Sequence, residues 1–296
     1  MLKKLFIHSG TPKTGSSFLQ SVFNKSSKEL NECGILYPGV YKNTYQPSSN
    51  VDINGQLLTR LLIYKTSKQL HDVKHKLIEM LTGLFSLGKN KVFLSDETLG
   101  IVNPEIWNII NDVCLSLNIH LVVFSYFRQP EKYYPSHWAQ IVRNHGEVKS
   151  LIDFLTTTDL QVWRNILIIN DVVDDSYSFS YENELVGEFG LLLSAAKVLD
   201  ISPKVFIVNS INKRNVNPSL SLNALTAIRL INDEFGEKAG KELNVQLTSL
   251  EATNKKSKPA LDSAKQSFIR GKHCVELEKY QKIYQSSRDK LNFIKI

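Results

Sequence analysis

The chain has 296 residues, with 36 Lys+Arg against 29 Asp+Glu and a formal charge of +7; 42% of residues are hydrophobic and 22% charged, a globular composition that excludes a disordered chain. Three cysteines without a CxxC pair exclude a disulfide framework and a zinc ribbon. No apolar stretch approaches the ~20 residues needed to cross a bilayer, and Met1 to His8 carries too short an apolar run for a signal peptide, so the expectation is a soluble, cytoplasmic protein. The positive excess is local. Residues 254–296 hold 11 Lys/Arg against 4 Asp/Glu, and the rest of the chain balances at 25 against 25. An anion site in the body must therefore be built by local geometry and not by a general field.

Lys4 to His8 reads as a short buried strand, Ser9 to Ser17 as a tight loop, and Phe18, Leu19, Val22 and Phe23 recur at helical spacing. Residues 34–56 are rich in Tyr, Asn, Pro, Ser and Gly and read as a long irregular excursion, of a length that compact domains keep mainly for function. An amphipathic helix is expected over 66–87. A second strand runs from Lys91 to Leu94 and ends in Ser95, Asp96 and Glu97. Pro104 opens a helix to about Leu117, proline being favoured in the first helical turn. Ile119 to Phe127 is apolar enough to be a parallel strand buried on both faces, and Arg128-Gln129-Pro130 ends it. Helices follow at 131–145, 149–157 and 161–170, then a strand near Ser176 to Tyr181. Helices at 185–198 and 219–235 and a basic helical tail from 261 complete the chain. Strands alternating with helices imply an α/β fold with a parallel sheet and crossovers, and the length allows one large domain or two small ones.

A glycine-rich turn between a buried strand and a helix N-terminus is a preformed anion site, because backbone N–H groups point outward there and the helix dipole favours negative charge. Gly10 and Gly15 allow a compact loop, Lys13 adds a cation directly after Pro12, and Thr14, Ser16 and Ser17 add hydroxyls. In a Walker A loop the lysine follows the second glycine; that position is Ser16 here, and the lysine stands inside the loop. The string from Ile7 to Gln20 closely resembles the 5′-phosphosulfate loop of sulfotransferases, the bacterial and carbohydrate-type members most of all. The resemblance implies a P-loop-NTPase-like central sheet with helical insertions. It also implies the donor 3′-phosphoadenosine 5′-phosphosulfate, with Lys13 near the oxygen that bridges phosphate and sulfate.

The same resemblance asks for an Arg at the end of a later strand and a Ser eight positions on, to hold the 3′-phosphate. Arg128 and Ser136 meet it, and a guanidinium fork suits a dianion. The basic, Asn-rich stretch from Lys213 to Ser221 makes Arg214 a further cofactor contact, with an ordinary polar loop as the other reading. Family chemistry is a metal-independent in-line transfer to a hydroxyl, which needs a general base and a cation for the leaving oxygen. Glu97, at the carboxyl end of a strand where open α/β sheets place their crevice, is the preferred base over Asp96; the alternative is that either acid caps the next helix. His8 reads as a packing or hydrogen-bonding residue at its strand end, and His137 as a solvated neighbour of Ser136. Tyr181-Glu182-Asn183 and Gly34 to Gly39 also resemble family strings, and the resemblance implies a single domain over 1–296 with helical insertions.

Two rival readings stand beside this one. Val92 to Glu97 can be a Walker B strand, which would make the chain a P-loop kinase or ATPase with a deviant Walker A loop. The basic tail can instead serve a non-catalytic anion- or nucleic-acid-binding protein, although its charges interleave with Leu277, Ile283 and Leu291 as on a solvated helical face. The resemblance makes the expected partners the small-molecule donor and a carbohydrate or glycolipid acceptor. No nucleic acid, metal or transmembrane segment is expected. Residues 37–60 and 254–296 are the expected acceptor-side loop and basic tail.

Overall fold

The computed structural model describes residues 2–48, 51–63, 69–103, 105–187, 189–210, 220–251 and 259–291. Its strands are β1 (Lys3–His8), β2 (Ile35–Leu36), β3 (Gly39–Tyr41), β4 (Thr44–Gln46), β5 (Lys91–Ser95), β6 (Ile119–Phe127) and β7 (Asp175–Ser180). Five of them form one sheet in the order β2-β5-β1-β6-β7, and every neighbouring pair is parallel. The fold is therefore α/β with a central parallel sheet flanked by helices, and the strand–loop–helix unit of residues 3–25 starts from the middle strand of that sheet.

Period-2 alternation divides the strand side chains between two buried faces. Leu5, Ile7, Val92, Leu94, Leu121 and Val123 face one core, shared with the helices Gln56–Leu62, Leu70–Phe85, Glu105–Ser116 and Val162–Val172. Phe6, Phe93, Val122, Phe124, Tyr126 and Phe179 face the other, packed with Ser16–Lys25, Gly190–Val198 and Lys204–Ser210. The second core is aromatic: Phe23 meets Phe93 at 4.9 Å between ring centroids and Phe206 at 5.1 Å. Both faces being covered explains why the strands read as unbroken apolar runs.

The expected irregular excursion at 34–56 is partly regular. Ile35–Leu36 joins the sheet as its edge strand beside β5, and β3 and β4 form an antiparallel hairpin. Its two turn residues, Lys42 and Asn43, have φ of 45° and 61°, as a type I′ turn demands. A two-residue strand has no visible period, and the turn lacks the glycine that usually signals it. Helices Ser27–Glu32, Gln56–Leu62 and Lys204–Ser210 were likewise not expected.

The helix expected at 185–198 is shorter, Gly190–Val198, and a separate short helix, Tyr181–Glu184, precedes it, capped by Ser180, whose hydroxyl accepts from the Asn183 N–H. The helix expected to stop at 235 breaks at Gly236 and resumes to Glu251. Pro104 lies outside the described residues, and the helix after it is described from Glu105. Among the described residues no helix is long and apolar enough to cross a membrane.

The chain divides into two compact units, one of residues 1–127, 161–213 and 278–296, the other of 128–160 and 214–277. The first holds the sheet. The second is helical, built on Pro130–His145, against which Leu222–Glu251 and Ser263–Lys272 pack. Inside it, Arg270 pairs with the buried carboxylate of Glu131, and the amide of Asn232 donates to the Val142 carbonyl at 2.8 Å. Pro130 supplies the first helical position and Gly146, at φ 68°, the left-handed cap.

Candidate active site

The loop after β1 keeps pairing with β6 before it turns. Ser9 N–H donates to the Phe124 carbonyl at 3.0 Å, and Tyr126 N–H donates to the Gly10 carbonyl at 2.7 Å. This sets the loop at the carboxyl edge of the central strands, the crevice side of an open α/β sheet. Gly10 has φ 91°, and a Cβ there would stand 2.7 Å from both the Cα and the carbonyl oxygen of Glu97. Only glycine lets the loop lie against that residue. Gly15, at φ 77°, caps the helix Ser16–Lys25; its first turn has neither a side-chain cap nor an acidic residue. The amides of that turn are thus available to an outside acceptor.

Glu97 sits just past β5 and is half-buried. Ser16 Oγ–H donates to its Oε2. Burial raises the carboxyl above its ordinary range; the Lys13 ammonium works in the opposite direction, and Asp96 adds to the rise. Lys13, with φ 67°, therefore acts electrostatically on the carboxylate that Ser16 holds. Asp96 is placed differently. It is 4% exposed, its Oδ1 accepts from Thr98 N–H at 2.9 Å, and its Oδ2 accepts from Thr59 Oγ1 at 2.7 Å. Both oxygens are used in capping the 3-10 turn Glu97–Ile101 and in tying down the helix Gln56–Leu62. Of the two acids, one is spent on structure and the other faces the loop.

Of the remaining loop residues, Thr14 is buried and its hydroxyl donates to the Thr11 carbonyl, so it braces the loop. Pro12 and Lys13 are half-buried and Ser17 is exposed. The Ser9 hydroxyl, fully buried where the loop begins, has no hydrogen-bond partner among the described residues. His8 is fully buried, its Nδ1 is 2.8 Å from Ser95 Oγ, and its ring stacks on Phe124 at 5.1 Å. Burial lowers its pKa to about 3, so it is a neutral packing residue.

Arg128 and Ser136 belong to the second unit. Arg128 is half-buried after the last residue of β6, and Ser136 is half-buried about two turns into Pro130–His145. His137 is not a solvated neighbour: it is half-buried, stacked on Tyr133 at 5.5 Å with Phe154 at 6.1 Å. Arg214 lies outside the described residues.

Tyr181 and Leu191 wall the loop from below. A Cβ on Gly15 would meet Tyr181 Cε2 and Leu191 Cδ1, each at 3.2 Å. Tyr181 follows directly on β7, so its place at a parallel strand's carboxyl end was the available signal. Gly100, whose Cβ would stand 2.5 Å from the Ser9 carbonyl, and Thr59 carried no such signal.

No protein-family model matches the chain, and no curated protein matches it. Among solved structures it is similar to a sulfotransferase from Alicyclobacillus acidocaldarius, at 12% identity and a TM-score of 0.43, over 84% of this chain and 96% of that one.

Proposed function

We propose that the chain is a sulfotransferase moving the sulfonate of 3′-phosphoadenosine 5′-phosphosulfate to a hydroxyl of a carbohydrate or glycolipid acceptor. The observation that carries the reading is the meeting of the 10–17 loop with Glu97: a cation, an uncapped helix start and a held carboxylate converge at one strand edge. The donor set fits the 5′ end of the phosphosulfate. Lys13, Ser17, the Ser9 hydroxyl, which has no partner among the described residues, and the first-turn amides are all donors toward anionic oxygen, and that helix turn holds no acid.

When bound, the donor supplies an activated sulfonate on a phosphate leaving group. Lys13 stabilises charge as it develops on the departing oxygen. Glu97 accepts the proton of the acceptor hydroxyl. Its raised pKa makes it a stronger base than an ordinary carboxylate, and Ser16 fixes its Oε2. Arg128, Ser136 and Arg214 are assigned to the 3′-phosphate on the family resemblance alone, and residues 37–60 to the acceptor.

Calorimetric titration tests the reading. Adenosine 3′,5′-bisphosphate should bind without magnesium, and the protein charged with donor should add a sulfonate mass to a hydroxylated acceptor. Magnesium-dependent ATP binding with no affinity for the bisphosphate would replace this reading with the kinase or ATPase one.

A further inference from the structure

The first unit carries a pocket of about 530 Å³ between the β3–β4 hairpin and the helices Gln56–Leu62 and Leu70–Phe85. That volume is in the range of small-molecule sites. Its floor is apolar, formed by Tyr45, Leu57, Leu61, Met80 and Leu84. Among the described residues two cations line it, Arg60 and Lys76, and both are exposed. No acidic residue among the described residues lines it. Arg60 is held in place, with its guanidinium donating to Asn43 Oδ1 at 3.3 Å and to Gln56 Oε1 at 3.0 Å.

These features divide by depth. Burying an aliphatic or aromatic body on the floor is favourable at ~25 cal/mol per Å² of apolar surface. Two cations with no carboxylate among the lining residues favour an anion at the mouth, and a guanidinium suits carboxylate or sulfonate oxygens in pairs. The helix Gln56–Leu62 is rigidly founded, because Thr59 bonds Asp96 and Asn54, just before it, exchanges hydrogen bonds with β5: its amide donates to the Phe93 carbonyl and its Oδ1 accepts from Ser95 N–H.

We propose that this pocket binds a small amphipathic anion, an apolar body bearing one carboxylate or sulfonate, with the body on the Leu57–Leu61–Met80 floor and the charge between Arg60 and Lys76. Half of its lining, Asn43 to Arg60, falls in the segment assigned above to the acceptor, but no residue of the 10–17 loop lines it, and the binding proposed here does not depend on how that loop is read.

Naphthalene-2-sulfonate is the probe, titrated calorimetrically into the full chain without donor, with inorganic sulfate and 2-naphthalenemethanol as controls. Saturable 1:1 binding is expected, at least tenfold tighter than either control. It should persist in Lys13→Ala, which removes the cation of the loop. The double variant Arg60→Gln/Lys76→Gln should weaken it about tenfold or more. Gly83→Leu should abolish it: Gly83 lines the pocket, a Cβ there meets nothing within 4 Å, and leucine favours the helix, so Tm should not fall. Equal affinity for the neutral alcohol, loss of binding in Lys13→Ala, or binding untouched by both pocket variants would overturn the proposal. Absence of saturable binding would also overturn it.

Discussion

Two side chains at the loop have separable tasks, and their substitution should separate them. Lys13→Ala removes the cation that acts on Glu97 and, in the proposed transfer, on the leaving oxygen, so turnover should fall about 10²–10³-fold; a sulfonate-transfer assay under saturating donor reads it. Glu97→Gln removes the base while keeping an acceptor for Ser16, so kcat should fall with little change in bisphosphate affinity. The wild-type rate should climb with pH through the raised carboxyl pKa, since only the carboxylate takes a proton, and the variant's profile should lose that limb.

His8 makes a stability prediction of opposite character. Its folded pKa of about 3 lies below the unfolded value of 6.5, so between them the unfolded chain binds the extra proton. Stability is full above ~6.5 and falls toward acid by up to about 1.4 kcal/mol per pH unit. Urea titrations at pH 7 and pH 5 should show a smaller loss in His8→Phe than in the wild type.

At the level of the loop and its neighbouring turn, Asp96 is the anchor. Asp96→Ala orphans both the Thr98 N–H and the Thr59 hydroxyl, and should cost about 2–4 kcal/mol in chemical denaturation. Asp96→Asn keeps acceptor capacity and should leave kcat within about tenfold, because the acid facing the loop is Glu97. Loss of turnover on that substitution as large as that of Glu97→Gln would move the base to Asp96. Glycine at position 10 is required by contact as well as by conformation. Gly10→Ala should destabilise the protein and depress turnover together, since its methyl would stand against the Glu97 backbone.

Across the molecule, the basic tail is structural before it is anything else. Its last helix, Cys274–Lys290, buries Tyr280 against Phe127 with ring centroids 3.6 Å apart. Ser287 Oγ accepts from the Ser178 N–H of β7 at 2.9 Å. Arg288 pairs with Glu184 at 3.1 Å, where the side chains are 15% and 3% exposed. Burial raises the Glu184 carboxyl and Arg288 opposes that rise. Arg288→Met should therefore cost about 3–5 kcal/mol by stranding a buried acid, and Glu184→Gln/Arg288→Met should recover most of it. Urea denaturation at neutral pH checks both.

Short-range pattern was enough for the parts of the protein whose signals are local. The Ile7–Gln20 string, the apolar run Ile119–Phe127 and the acids after Leu94 placed the central strands, the anion loop and the candidate base, because strand periodicity and turn residues are written in consecutive positions. Partners across the chain decided the rest. Asp96 and Glu97 are adjacent and chemically alike; Thr59 and Thr98 occupied one, and Ser16, 81 positions away in sequence, engaged the other. Leu277, Ile283 and Leu291 suggested a solvated tail helix, yet the deepest contacts are made by Tyr280 and Ser287 on β-sheet partners. Residues 34–56 looked shapeless because a two-residue edge strand exists only through hydrogen bonds to β5. Sequence by itself determined the layered α/β plan and the tight 10–17 loop at a strand–helix junction, since both follow from local backbone preference and hydrophobic period. Tertiary structure alone decided which carboxylate is bound into structure, what the last helix of the tail packs against, and where a pocket opens, since burial and pairing belong to residues that meet only when the chain is folded.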